Sequence, residues 1–298
     1  MKENPEVVLM VNQECNIKCA HCYLPYTGNR NPENTIDLVR TLKAQGYNVT
    51  IAGSETLLDP RYLAAYREAG QDYILTNGLL LLQQPSLFEL MKEYGIREIR
   101  FSSHFGLEKE LKSVPEEKVA EVVNMSRIKG FKNQVSTTIT SHNYLGIEDM
   151  CDKSYSMGAD AIKFIRYVIT GRGKNNIEYC LNPEQVQTFF GQVEKTRIKY
   201  TPEQLKILIH GNFGPKAGTR GEELAANNEY CPAGITFFTI DPQDNVYGCP
   251  FLMEPHAAIG KLVDGKITVN KELFPESRGR CLTDIVNKPL ITLTAKSV

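Results

Sequence analysis

The 298-residue sequence reads as an α/β protein, a partial (β/α)6 barrel of the TIM type followed by a small C-terminal β-hairpin extension. Three observations lead there. Short apolar runs alternate with amphipathic helical stretches six times, at a spacing of roughly 25–30 residues, as parallel strands joined by right-handed crossovers do. The units run on without a switch point, which favours a partial barrel over an open doubly wound sheet. After His210 the pattern changes to short strands around turn residues. The chain therefore divides into a barrel, residues 1–210, and a C-terminal region, residues 211–298.

Each element follows from local pattern. Val7–Val11 is an apolar run that predicts the first strand. Ile36, Leu38, Val39 and Leu42 share one helical face within Thr35–Gln45, which Gly46 closes. The unit then recurs: Asn48–Ala52 with a helix from Pro60, Tyr73–Thr76 with Pro85–Tyr94, and Ile99–Ser103 with Pro115–Lys129. Gln134–Thr140 with Tyr144–Met157, and Ala161–Val168 with Pro183–Ile198, complete the six. Lys206–His210 predicts a seventh short strand, and Gly211–Asn228 a polar loop. Ile235–Ile240 and Val246–Gly248 flank the turn residues 241–245 and predict a hairpin, and Gly265 closes a second between Ile259–Val263 and Ile267–Val269. In such a barrel the loops after the strands share one face, and chemistry belongs there.

Composition narrows the function. The net charge is −1 and no basic stripe stands out, so nucleic acid is not an expected partner. No apolar stretch is long enough to span a membrane and no signal segment opens the chain, which places it in the cytoplasm. Eight cysteines in such a chain point to metal binding or catalysis rather than disulfides.

The first three cysteines, Cys15, Cys19 and Cys22, are spaced C-x3-C-x2-C directly after the first predicted strand. Three thiolates can hold three irons of a cubane and leave the fourth open. A zinc site or an electron-transfer cluster would need a fourth ligand, for which His21 and His104 are the local choices. The motif resembles that of the radical S-adenosylmethionine (radical SAM) superfamily, with His21 where an aromatic residue is usual. The resemblance implies that Cys15, Cys19 and Cys22 ligate a [4Fe–4S] cluster whose unique iron chelates S-adenosylmethionine. It also implies an electron donor such as flavodoxin or ferredoxin, and a 5′-deoxyadenosyl radical that abstracts a substrate hydrogen.

Further matches follow in strand order. Gly53-Ser54-Glu55-Thr56-Leu57-Leu58 is similar to the family's G-G-E-P-L-L segment, which implies that Gly53, Ser54 and Glu55 meet the methionyl end of the cofactor. Thr76-Asn77-Gly78 resembles the T-N-G turn. Ser102-Ser103-His104 resembles the segment that meets the ribose, and Thr170-Gly171-Arg172-Gly173 the adenine loop. Arg166 ends a strand, either facing the cofactor or as a surface charge.

The late cysteines Cys231, Cys249 and Cys281 resemble the shorter "twitch" form of the SPASM extension. That resemblance implies a second, auxiliary [4Fe–4S] cluster, which needs a fourth ligand, and Cys180, in the loop after the sixth strand, is the best candidate by position. Cys249 is either one of its ligands or a free thiol that returns a hydrogen atom to a substrate radical from the opposite face. Cys151, on a helix with Leu145, Ile147 and Met150, reads as a core residue.

Only 14 residues precede Cys15, which tilts the expectation toward a small molecule rather than a peptide. The cysteine plan resembles the radical SAM epimerases of aminoglycoside antibiotic biosynthesis, of the type that converts neomycin C to neomycin B. The expected substrate is then a polycationic sugar, met by Glu55, Glu178 and Asp241 at the barrel mouth, with Cys249 as hydrogen donor. The competing expectation is a peptide-modifying enzyme, epimerising or crosslinking, with Cys249 a cluster ligand. A non-catalytic iron–sulfur or zinc-binding protein is the third reading.

Overall fold

The computed structural model describes residues 4–25, 28–213 and 231–273. Strand β1 (Glu6–Asn12) opens the fold. Its Val7, Leu9 and Val11 join the main core under the helices, whereas Met10 packs on the other face with Leu24, Tyr247 and Met253. Burial on both faces is why this strand is a continuous apolar run.

Helix α1 (Pro32–Ala44) begins one turn before the apolar spacing predicts. The Asn31 side chain accepts from the Asn34 N–H at 3.0 Å and Pro32 enters the first turn, so the cap and not the apolar face sets the start. Strand β2 (Asn48–Gly53) leads through two single 3-10 turns, Thr56–Leu58 and Pro60–Tyr62, into α2 (Leu63–Ala69). Then come β3 (Tyr73–Thr76), α3 (Leu79–Gln83), α4 (Ser86–Glu93), β4 (Glu98–Ser102), α5 (Glu108–Leu111) and α6 (Glu116–Ile128). Strands β5 (Lys132–Ile139), β6 (Ala161–Arg166) and β7 (Lys206–Ile209) alternate with α7 (Ile147–Ser156) and α8 (Pro183–Arg197). Helices α3 and α5, of 5 and 4 residues, are too short to show a periodicity in sequence.

Strands β3 to β7 form a five-stranded parallel sheet in chain order, with β1 and β2 in a second sheet beside it. The fold is the expected α/β partial barrel. Between β2 and β3 no ladder forms, and the Gln71 amide bridges the gap instead. Its Oε1 accepts from the Ile51 N–H at 2.6 Å, and its Nε2 donates to the Ile51 and Tyr73 carbonyls at 3.1 and 3.0 Å.

Both predicted C-terminal hairpins are present, as β8 (Phe237–Ile240) with β9 (Asn245–Tyr247) and β10 (Gly260–Val263) with β11 (Lys266–Val269). Strand β8 starts two residues later than predicted, because the N–H groups of Ile235, Thr236 and Phe237 all turn onto the Pro232 carbonyl. The sequence does not reveal how the meander attaches. Strand β8 pairs in parallel with β1, from Glu6 opposite Phe237 to Leu9 opposite Ile240, giving the order β11-β10-β9-β8-β1-β2. Arg30 pins the same junction, pairing with Asp244 at 2.7 Å and donating to the Asp241 carbonyl. Among the described residues no helix is long and apolar enough to cross a membrane.

Replacing the bridging amide tests the split barrel. Gln71→Leu keeps the bulk but strips three backbone groups of their partners, at about 1–3 kcal/mol for each of the two that are buried. A thermal melt should show a midpoint several degrees lower, and Gln71→Glu should not restore it, because a carboxylate cannot donate.

Candidate active site

The loop leaving β1 carries Cys15, Cys19 and Cys22, each a partly buried free thiol. Burial pushes the Cys15 thiol up, and the charges of Glu55 and Cys22 add to the rise. Cys19 is pushed up to about 12, first by burial and then by Cys22 and Cys15, with the Arg172 charge opposing. Cys15 and Cys19 thus resist ionisation in the absence of a cation. Such a donor set fits a metal cluster, which takes the thiolates and releases their protons. Among the described residues, no three Cys, His, Asp or Glu side chains converge on one point as a single bound ion requires.

Three strand ends hold this loop. From β2, the Ser54 N–H donates to Asn12 O at 3.0 Å and the Glu55 N–H to Glu14 O at 3.1 Å, while Asn12 Nδ2 donates to Glu55 O at 2.9 Å. Gly53 is required by that contact, since a Cβ there would lie 2.0 Å from Asn12 Oδ1. From β3, Asn77 Nδ2 donates to Asn16 Oδ1 at 2.7 Å and lies 3.7 Å from Cys15 Sγ. From the segment after β6, the Arg172 N–H donates to Cys22 O at 2.9 Å and Arg172 Nε to Cys19 O at 2.7 Å.

Glu55 is fully buried. Its carboxylate accepts from Thr76 Oγ1 at 3.0 and 2.9 Å and from the Asn77 N–H at 2.9 Å, so it braces the turn that carries Asn77. Burial nonetheless pushes its carboxyl up to about 7. Asp241 is buried as well, and accepts from the Gln243 and Asn245 N–H groups at 2.8 and 2.9 Å, Asn245 Nδ2 at 2.7 Å and the Tyr247 hydroxyl at 3.0 Å. Of the three acids expected at the mouth, only Glu178 is exposed.

His21 and His104 meet edge to face, their ring centroids 4.2 Å apart. Burial, and then the Arg172 charge, lowers His21 to about 4, and burial with His21 lowers His104 well below the usual value. Both imidazoles are neutral near pH 7. The His104 Nδ1 accepts from the Thr138 N–H at 3.3 Å, which brings β4 and β5 to the same corner. Ser103 is buried, its N–H donating to Ser136 O at 3.0 Å, and Ser102 beside it is exposed. Arg166 ends β6, where Asn212 holds its backbone through bonds of 3.1 and 2.8 Å.

Of the later cysteines, Cys231 and Cys249 pack into one small apolar cluster with Ala233 and Leu252. Cys180 lies in a different one, with Leu107, Leu111, Tyr167 and Tyr179, and Cys281 lies outside the described residues. Cys151 is buried in the main core, as expected. Tyr23, which carries no sequence signal, links the two groups. Burial and then the charges of Cys22 and Cys249 raise its phenol, and its ring meets Phe251 at 4.7 Å.

A strand-end loop with three thiols, braced from β2, β3 and β6, accords with one sequence family in particular. Residues 10–152 match the profile of the Radical SAM superfamily. That segment belongs to the radical SAM superfamily. Proteins of that superfamily use a [4Fe–4S] cluster and S-adenosylmethionine, the cofactors that the three-cysteine loop fits. The chain is 24% identical over 296 residues to the mycofactocin maturase MftC of Mycobacterium tuberculosis, covering 90% of this chain and 72% of that one. It is 23% identical over 296 residues to the AdoMet-dependent heme synthase of Methanosarcina barkeri, covering 90% and 84%. Its fold matches Streptococcus suis SuiB bound to precursor peptide SuiA with a TM-score of 0.68 at 18% identity, over 95% of this chain and 64% of that chain, which is under two thirds. SuiB is also solved bound to S-adenosylmethionine, and matches with a TM-score of 0.67. The aminoglycoside-epimerase and SPASM resemblances gain no support from these relatives.

The Glu55 brace is directly testable. Glu55→Ala leaves the Asn77 N–H and the Thr76 hydroxyl without this acceptor, and should cost about 2 kcal/mol and lower the iron retained after anaerobic reconstitution. Glu55→Gln keeps an acceptor and should retain the iron.

Proposed function

We propose that this chain is a radical SAM enzyme that modifies a peptide. The observation that carries the proposal is the alignment of 90% of the chain with a maturase, over 72% of that protein's length. SuiB, whose fold this chain shares, is solved with a precursor peptide. The burial of Glu55 and Asp241 leaves Glu178 alone of the three expected acids exposed to meet a polycationic sugar, and this too supports the peptide reading.

The chemistry that the cluster and S-adenosylmethionine supply when bound is hydrogen-atom abstraction by a 5′-deoxyadenosyl radical. The chain's own residues prepare for it. Cys15, Cys19 and Cys22 hold the cluster, while Asn77 and the backbone beyond β2 fix the loop on which they sit. Met10, Leu24, Tyr247 and Met253, with Cys22 and Tyr23 against them, form an apolar wall that keeps water from this side of the site. His21, Ser102, Ser103 and Arg166 extend the cofactor surface across the ends of β4 and β6.

Cys249 we read as an auxiliary-cluster ligand with Cys231 and Cys281, supported by the shared apolar cluster of the first two. The fourth ligand is Cys180 only if the segment after β6 moves, because its thiol packs elsewhere. The C-terminal region, residues 211–298, then acts as the unit that carries this second cluster.

The test uses the full chain, reconstituted anaerobically and supplied with S-adenosylmethionine, dithionite and a short precursor peptide encoded beside its gene. Release of 5′-deoxyadenosine with a mass change or altered retention of the peptide is the expected result. Modification of an aminoglycoside, with the peptide untouched, would overturn it. Cys249→Ala should lose about four irons if the thiol is a ligand. Unchanged iron with loss of an inverted product would make it a hydrogen donor.

A further inference from the structure

Arg172 does more than the adenine-loop resemblance of its segment implies. It comes from the segment Gly171–Asn175 after β6, yet both of its hydrogen bonds go to the cysteine loop some 150 residues earlier, to Cys22 O at 2.9 Å and Cys19 O at 2.7 Å. Gly171 lets it approach so closely. At φ +56° a Cβ there would lie 2.6 Å from the Cys22 carbonyl oxygen. Glu254 grips the segment from the other side, accepting from the Gly171 N–H at 3.3 Å and pairing with Lys174. The acid is thus taken by Lys174, and the guanidinium of the half-buried Arg172 is directed at the cysteines.

We propose that Arg172 is a positioning residue for the three-cysteine site, fixing the loop through its carbonyls and placing a cation that raises the reduction potential of the cluster held there. The proposal rests on the reading of Cys15, Cys19 and Cys22 as cluster ligands. One electron from an external low-potential donor adds one negative charge to the site. A fixed positive charge beside it, in a partly buried setting where salt screens weakly, stabilises the reduced form more than the oxidised one. Arginine suits the place because it stays charged while it also donates to a carbonyl.

The experiment compares the parent chain with Arg172→Gln and Arg172→Lys, each reconstituted anaerobically, with iron counted first. The midpoint potential is then read by electron paramagnetic resonance during a mediated dithionite titration. With iron retained, Arg172→Gln should lower the ratio of reduced to oxidised cluster at a fixed potential about tenfold, a shift of about 59 mV for one electron. Arg172→Lys should stay near the parent. Loss of iron in the Gln variant alone would also support the inference, because the charge is then needed to hold the loop. An unchanged potential in a fully loaded Arg172→Gln protein would overturn it, as would iron loss in both variants, which would make guanidinium shape the agent. A parent that binds no iron would instead remove the reading on which the inference rests.

Discussion

The organisation of this protein depends on holding a loop that cannot hold itself. Residues 13–25 contain three thiols that repel one another once ionised, and no helix or strand forms within them. The order they need comes from outside, through hydrogen bonds from the ends of β2, β3 and β6. Almost all of these bonds engage backbone carbonyls or the Asn16 amide, and leave the sulfurs free to bind metal. The neighbouring residues are constrained in turn: Gly53 by Asn12, Gly171 by Cys22, and Glu55 by the turn it braces.

The C-terminal region is part of the same device. Strand β1 delivers the cysteine loop at one end and carries β8 along its outer edge, so the meander and the loop share a strand. Tyr23 and Phe251 close the contact from above, Arg30 ties the first loop to the hairpin turn, and Glu254 reaches the segment that holds Cys19 and Cys22. A displacement of the meander therefore has three physical routes to the cysteines. The two cysteine groups are mechanically coupled through them.

Sequence made much of this legible, for a physical reason in each case. Strand β1 reads clearly because burial on both faces makes it an apolar run, and the long helices because one face is buried. The three cysteines were legible because their spacing is tied to one loop. What stayed hidden depends on contacts distant in sequence. Parallel pairing of β8 with β1, the Gln71 bridge, and the Tyr23 link to Cys249 each join residues that no local period relates. Glu55 was found by its motif, but its burial was not, because an acidic residue after a strand looks the same whether it faces the mouth or a neighbouring turn.

The opposite end of the barrel completes the argument about where chemistry can occur. Strands β3 and β4 bury Ile74, Ile99 and Phe101 in the core, so alternation turns Tyr73, Glu98 and Arg100 toward the barrel interior. There Arg100 lies 3.4 Å over the Tyr73 ring and its Nε donates to Glu98 at 2.6 Å. These groups are satisfied by one another and need no ligand. They sit at the strand beginnings and form a polar floor, while the groups that await a partner gather at the strand ends around Cys15.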